Sequence, residues 1–227
     1  VTGDAVTIDE GPSILYDLDQ SGVTLASLYV GPNYPASSEI GLPASTSPSN
    51  PAGGYPEYRD QRLKIGVTAG TVETVSRRVR IDASPANTTF VVRSTGQPQA
   101  AGEDALDLVV NHASAAVHVQ KGVVGVNYQP GDSGTVADLN VSYRTGKATD
   151  ARVRCGTGLT LTNLDQSGGD VLVQNGATTI TKTDGTLTLL GAVGTSVKNQ
   201  GGRLFLDGTG TIALLENGGE CQRRGLQ

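Results

Sequence analysis

Methionine and tryptophan are absent from this chain, and aromatic residues make up only 4% of it. A globular enzyme core is ordinarily filled with Leu, Phe and Met, so a core of that kind is excluded; what remains to bury is Val, Leu, Ile and Thr, the residues of strands. Charge is equally sparse, 17% of residues with a formal net charge of −5. Without clustered Lys and Arg there is no field to attract phosphates, and no nucleic-acid partner is expected. The one compact basic run, Arg77-Arg78-Val79-Arg80, alternates with apolar residues and reads as the solvated face of a strand. No apolar run approaches the roughly 20 residues that cross a bilayer, so no membrane partner is expected either. The chain opens at Val1 with neither an initiator Met nor a basic-then-apolar leader, as after removal of a leader or in a fragment.

Glycine, by contrast, is abundant: 31 of 227 residues. In the C-terminal third it is also periodic. Turns end at Gly169, Gly185, Gly202 and Gly219, in the contexts QSGG, TDG, QGG and NGG, at intervals of 16, 17 and 17 residues. Five positions before each stands an apolar residue, Leu164, Ile180, Val197 and Leu214, and two before those Thr162, Thr178, Thr195 and Ile212, an in-out-in strand. After each turn a second strand places Val171 and Val173, Leu187 and Leu189, and Leu204 and Leu206 in matching inward columns. Repeats this short cannot bury an apolar stripe alone, but stacked coils bury a continuous one and satisfy each other's backbone groups. The pattern predicts an all-β fold, a parallel β-helix (β-solenoid) with short coils of 16 to 17 residues at the C-terminus, most regular over 151–222. Its crossovers are expected to be right-handed.

Val153 and Cys155 occupy the same two columns one coil earlier, and Cys221 falls in the first column after the last turn. Each cysteine therefore reads as a small buried core residue. Four rungs of about 4.8 Å separate them by roughly 19 Å, beyond the ~7 Å that a disulfide spans, so two buried free thiols are predicted.

Upstream the repeat loosens. Arg78 to Ile81, Phe90 to Arg93, Ala105 to Asn111, Ala115 to Val119, Val123 to Val126 and Val136 to Val141 read as strands with longer connections. The β-helix is expected over 62–227, widest at its start, preceded over 1–61 by an irregular N-terminal strand segment and arm. Residues 32–58 hold six of the ten prolines, which excludes a central strand and indicates an extended arm. Before it, Val23 to Val30 reads as one strand, preceded by LDQSG, the string that recurs at Leu164 to Gly168; an early coil or a cap fits both.

No residues are assigned to catalysis, to a cofactor or to a metal. Glu103, Asp104 and Asp107 are the nearest approach to an acidic cluster, and they read as a solvated turn, as exposed acids usually do. His112 and His118 lack a third ligand at metal spacing and read as surface residues. Asp132-Ser133-Gly134 sits in PGDSG, which shares four residues with the nucleophile loop of trypsin-like proteases, but the repeat contradicts their two-barrel fold and the string reads as a turn. Contact residues are better candidates. Tyr34, Tyr55 and Tyr58 in the arm offer large area at low entropic cost, either to a neighbouring subunit or to their own domain. Leu172 and Phe205, with Leu190 and Leu215, fall outside the inward columns and predict apolar surface for lateral association.

Two stretches, EIGLP (Glu39 to Pro43) followed by YPEYRDQRLKIG (Tyr55 to Gly66), and TTITKTDGTLTLLG (Thr178 to Gly191), resemble a group of bacteriophage structural proteins in which an N-terminal segment precedes a small β-helix. The resemblance implies a non-enzymatic virion component, a capsid decoration or a tail or neck protein, assembled as a homo-oligomer with a trimer favoured and attached to other virion or surface proteins. The alternatives on the same fold are a carbohydrate-binding or carbohydrate-cleaving β-helix, with a glycan as partner, and a bacterial adhesin or filament subunit at the cell surface or outside the cell. Glycan-active β-helices generally have wider coils and long groove-forming loops, which the short repeat lacks.

Overall fold

The computed structural model describes residues 3–35, 37–41, 62–66, 69–74, 78–84, 86–95, 104–142, 151–191, 196–208 and 211–223. Among these residues every regular element is a strand, and the strands form two sheets. The first sheet contains β1 (Asp4–Ile8), β3 (Leu25–Val30), β6 (Ala69–Thr74), β8 (Thr89–Val92), β10 (His112–Val119), β12 (Gly134–Val141), β14 (Leu159–Gln166), β16 (Ala177–Lys182), β18 (Ser196–Asn199) and β20 (Leu214–Asn217), side by side in that order. The second runs β2 (Asp19–Gln20), β5 (Leu63–Ile65), β7 (Arg78–Asp82), β9 (Leu106–Val109), β11 (Gly122–Val126), β13 (Ala151–Cys155), β15 (Asp170–Val173), β17 (Thr186–Leu189), β19 (Arg203–Leu206) and β21 (Glu220–Gln222), with β4 (Glu39–Ile40) beside β7. Every strand pairing is parallel. The chain alternates between the sheets, so the architecture is that of a parallel β-solenoid.

One inward column of the first sheet passes through all ten rungs: Val6, Leu28, Val72, Phe90, Val117, Leu139, Leu164, Ile180, Val197 and Leu215. The second sheet answers with Val79, Leu106, Val124, Val153, Val171, Leu187, Leu204 and Cys221. These residues interleave to form the core, and from Leu28 to Leu204 both columns are buried.

The corner glycines show why the repeat keeps them. Gly169, Gly185 and Gly202 have φ of 73°, 80° and 67°, in the left-handed region that side chains disfavour. A Cβ at Gly185 would lie 2.4 Å from the carbonyl oxygen of Gly169, and one at Gly202 2.3 Å from that of Gly185. Those same carbonyls accept Thr186 N and Arg203 N, both at 2.9 Å, so each corner hydrogen-bonds the next.

The structure corrects several expectations. The stack begins at Asp4, not near residue 62, because β1 and β3 pair in the same ladder as β6. The strand read at Val23 to Val30 is thus an early rung. The two LDQSG strings play different parts: Leu18 is buried beside the two-residue strand β2 with Gln20 exposed, whereas Leu164 and Gln166 both point into the core from β14. Val197 pairs with Leu215, so Leu214 stands one position outside the column assigned to it and is 53% exposed. Thr162 and Thr178 are exposed. In those strands the buried residues step by three, Leu161 to Leu164 and Ala177 to Ile180, so strict alternation fails there. Thr195 lies outside the described residues.

Candidate functional site

The outward face of the second sheet carries the densest chemistry. Its register aligns Arg80, Asp107, Gly125, Arg154, Leu172, Thr188, Phe205 and Gln222 in one column. At the upstream end the charges are buried although they point away from the core: Arg80 is 5% exposed, Asp104 6% and Asp107 4%. Burial of this kind is tolerated only with paired charges.

The pairing is complete in charge. Arg62 donates from Nε to Asp107 Oδ2 at 2.8 Å, and from Nη1 and Nη2 to the two oxygens of Asp132 at 2.9 and 2.8 Å. Arg80 reaches Glu39 Oε2 at 3.3 Å, with Arg78 at 3.8 Å from the same oxygen, and also donates to the carbonyl of Gly41. Arg154 donates to Asp104 Oδ1 at 2.8 Å while its guanidinium lies 4.3 Å from the Tyr128 ring centroid. Four guanidinium groups (Arg62, Arg78, Arg80, Arg154) therefore face four carboxylates (Glu39, Asp104, Asp107, Asp132). A Cβ at Gly125 would lie 2.3 Å from Asp104 Oδ2, so a larger residue there would have to displace that carboxylate.

Burial pushes the Asp107 carboxyl above the usual range, against the pull of Arg62. Burial likewise opposes the charge on Arg62, yet Asp107 and Asp132 outweigh it and its pKa is raised. With Asp132 saturated by a bidentate guanidinium and Asp107 committed to the same group, the pair is arranged as a clamp. Glu39 and Gly41 lie just before residues 42–61, and Arg62 just after them.

These contacts overturn two readings. Asp104 and Asp107 are not in a solvated turn, and Arg80 is not on a solvated face, because β4 lies beside β7 and delivers Glu39 while Arg62, just before β5, reaches Asp107. Glu103 and Arg77 lie outside the described residues. Asp132 does sit in a turn, but as the partner of Arg62. Arg62 itself carries no local signal: its partners are 45 and 70 residues away.

Of the contact candidates, Tyr34 is removed from any interface. It is 0% exposed, and its hydroxyl lies 3.1 Å from each of the carbonyls of Pro12 and Glu39, its one hydrogen shared between them, so it pins its loop onto its own domain. Burial raises its phenol pKa. Tyr55 and Tyr58 lie outside the described residues. Leu172 and Phe205 occupy outward positions and are half-buried, and Leu190 is 41% exposed. Leu215 is 41% exposed although its register position is inward. His112 and His118 are partly buried on β10. Among the described residues no group of three or more His, Cys, Asp or Glu could hold a metal ion, and no helix is long and apolar enough to cross a membrane.

A second polar feature lies inside the stack. In register, Gln166, Lys182, Asn199 and Asn217 continue an inward column that is apolar upstream at Val119 and Val141. Gln166 Nε2 donates to the carbonyls of Gly168, Gly169 and Thr186, Lys182 Nζ to that of Gly201, and Asn199 Nδ2 to Asn217 Oδ1 at 2.6 Å. The column thus satisfies corner carbonyls that the tight turns leave over. Lys182 is 0% exposed, and burial lowers its pKa. The folded state therefore binds fewer protons than the unfolded chain between that lowered pKa and 10.5, and stability should rise with pH across this window. Urea unfolding midpoints measured from pH 7 to 10 should show this rise in the native chain and lose it in Lys182→Met.

Cys155 and Cys221 are free, as expected. Cys155 is fully buried, which pushes its thiol up to about 12, while Cys221 is half-buried at the last rung, less covered than its column implied. Thiol titration of the native protein should find Cys221 alone, with Cys155 reacting only after denaturation.

Fold and site together define a parallel β-solenoid with an ion-paired outer face. Comparisons with protein-family models, with curated proteins and with solved structures gave no match.

Proposed function

We propose that this chain is a non-enzymatic structural protein, a rigid rod or wall element of a phage particle or a comparable surface assembly, acting through self-association and attachment. The observation that carries this reading is the clamp. The stack is stiff because each rung hydrogen-bonds the next through both sheets, and Glu39 and Arg62, which flank residues 42–61 in the sequence, are both held against it by ion pairs. A rigid support with its surface charges paired suits attachment, whereas carboxylates held in buried ion pairs are poorly placed to exchange protons with a substrate. The phage setting is supported by the sequence resemblance alone.

A glycan-binding reading is favoured by one feature, a surface groove of about 300 Å³ where Arg152, Asp170, Asp184, Thr186 and Arg203 surround the glycine corners. Light scattering coupled to size exclusion, run beside a polysaccharide-cleavage assay, separates the two. The structural reading expects an elongated multiple of the 23.3 kDa chain and no cleavage. A monomer that releases reducing ends would replace it with the enzymatic one.

A further inference from the structure

Downstream of the ion-paired cluster, the outward face of the second sheet is a regular grid of side chains three columns wide. Its first column, in register from β13 to β21, reads Arg152, Asp170, Thr186, Arg203 and Glu220, and the four charged members are exposed. Arg152 and Asp170 stand in adjacent rungs yet make no ion pair among the described residues, while Arg203 lies 3.2 Å from Glu220. The second column, two residues further along each strand, reads Arg154, Leu172, Thr188, Phe205 and Gln222. Just past the strand ends a third holds Gln174, Leu190 and Asp207, each bonded through its N–H to the rung before. Leu172 and Phe205 are half-buried and Leu190 is 41% exposed, so an apolar strip faces outward beside the charged column.

The signs in the first column run plus, minus, neutral, plus, minus. Turned end for end, the same column runs minus, plus, neutral, minus, plus, so it is complementary to a reversed copy of itself. Laid face to face in that sense, Arg152 meets the second copy's Glu220, Asp170 meets its Arg203, and Thr186 meets its own counterpart. The other two columns obey the same reversal about the same rung. Leu172 meets Phe205, Thr188 and Leu190 each meet themselves, and Arg154, already paired with Asp104, meets the uncharged Gln222. Self-complementarity of one patch is what a two-fold, isologous contact requires.

We propose that this face is the contact surface of an antiparallel dimer, in which a second copy of the chain packs against it with the two-fold axis running along the β17 rung. This rests on the structural reading above and names its partner and mode. A two-fold parallel to the stack would set Arg154 against its own counterpart and Asp170 against Gln174, so the charges select the antiparallel arrangement. The charged column then borders the apolar strip as a polar rim borders an interface core. Four rung spacings of about 4.8 Å by four residues of about 3.3 Å give a footprint of roughly 19 by 13 Å. A contact of that size belongs with the weak interfaces, so the dimer is concentration-dependent and, its charges being exposed, salt-sensitive.

The test reverses one charged pair at exposed positions, where folding is not at stake. Asp170→Arg sets like charge against the second copy's Arg203 twice per dimer, and Arg203→Asp does the same against Asp170. Each should weaken dimerisation about tenfold in sedimentation velocity, with an unfolding midpoint close to the native one. An equimolar mixture of the two variants should recover the dimer, since every arginine then faces an aspartate, and so should the double variant Asp170→Arg/Arg203→Asp. High salt should loosen the native dimer and relieve the defect of the single variants. Loss in both single variants with no recovery in the mixture overturns the antiparallel pairing. Association that neither variant changes overturns this face while leaving a structural role through another surface. A native chain that stays monomeric overturns the contact and, if it cleaves polysaccharide, the structural role with it.

Discussion

Truncating Phe90 to Ala should lower the unfolding free energy by about 3–5 kcal/mol, the range for an aromatic lost from a packed core. Phe90 is 1% exposed and stands between Val72 and Val117 in the through-going column, one of only two phenylalanines in the chain. Its neighbours are rungs fixed by their own hydrogen-bond ladders, so they cannot collapse into the space. A solenoid is coupled rung to rung, and a cavity at the fourth rung of the first sheet weakens the link between the irregular upstream coils and the regular downstream ones. Guanidinium unfolding followed by circular dichroism should therefore show a lowered midpoint, and a transition that broadens or splits. Phe90→Leu should recover most of the loss. A variant as stable as the native chain would mean that this column is not the core.

Arg62→Ala is expected to be comparably severe, about 3–5 kcal/mol, because it removes one partner of a buried ion pair and leaves the others uncompensated. Asp107 and Asp132 would lose the guanidinium that now donates to both. The pH dependence identifies the cause. Asp107 is already held above the ordinary carboxyl value of 3.8 by burial, and without Arg62 it should rise further. A carboxyl whose folded pKa exceeds its unfolded one binds more protons when folded, so stability falls as pH rises through the interval between them. The deficit of Arg62→Ala should thus be small near pH 4 and full by pH 8, read as the difference in unfolding midpoint from the native chain. A deficit independent of pH would point to lost packing of the arginine stem instead. Asp107→Asn placed on top of Arg62→Ala should restore part of the stability by removing the stranded charge.

The regular coils were legible because their signals are local. Glycine at positions that need positive φ recurs at Gly169, Gly185 and Gly202, and Val171, Leu187 and Leu204 follow each at a fixed distance, so spacing alone placed the second-sheet columns and both cysteines in register. The same logic misplaced Leu214 by one residue, since the strand after 209–210 is aligned by its neighbour Val197 and not by its distance from a glycine. It also took Thr162 and Thr178 as inward, because it assumed period-2 alternation where the buried residues step by three. Upstream, Leu28 pairs with Val72 across 44 residues and Phe90 with Val117 across 27, intervals that carry no periodic signal.

What the sequence determined by itself is the class of fold: β-branched and leucine residues at short alternating spacing, with glycine at the corners, have no stable solution except stacking. What only the tertiary structure decided is which charges meet. Glu39 with Arg80, Arg62 with Asp107 and Asp132, and Asp104 with Arg154 lie 41 to 70 residues apart. In the string each reads as a solvated polar residue, because nothing local says that it will be buried. Desolvation and pairing arise only after the stack has set the rungs beside one another, so the clamp is a property of the assembled solenoid.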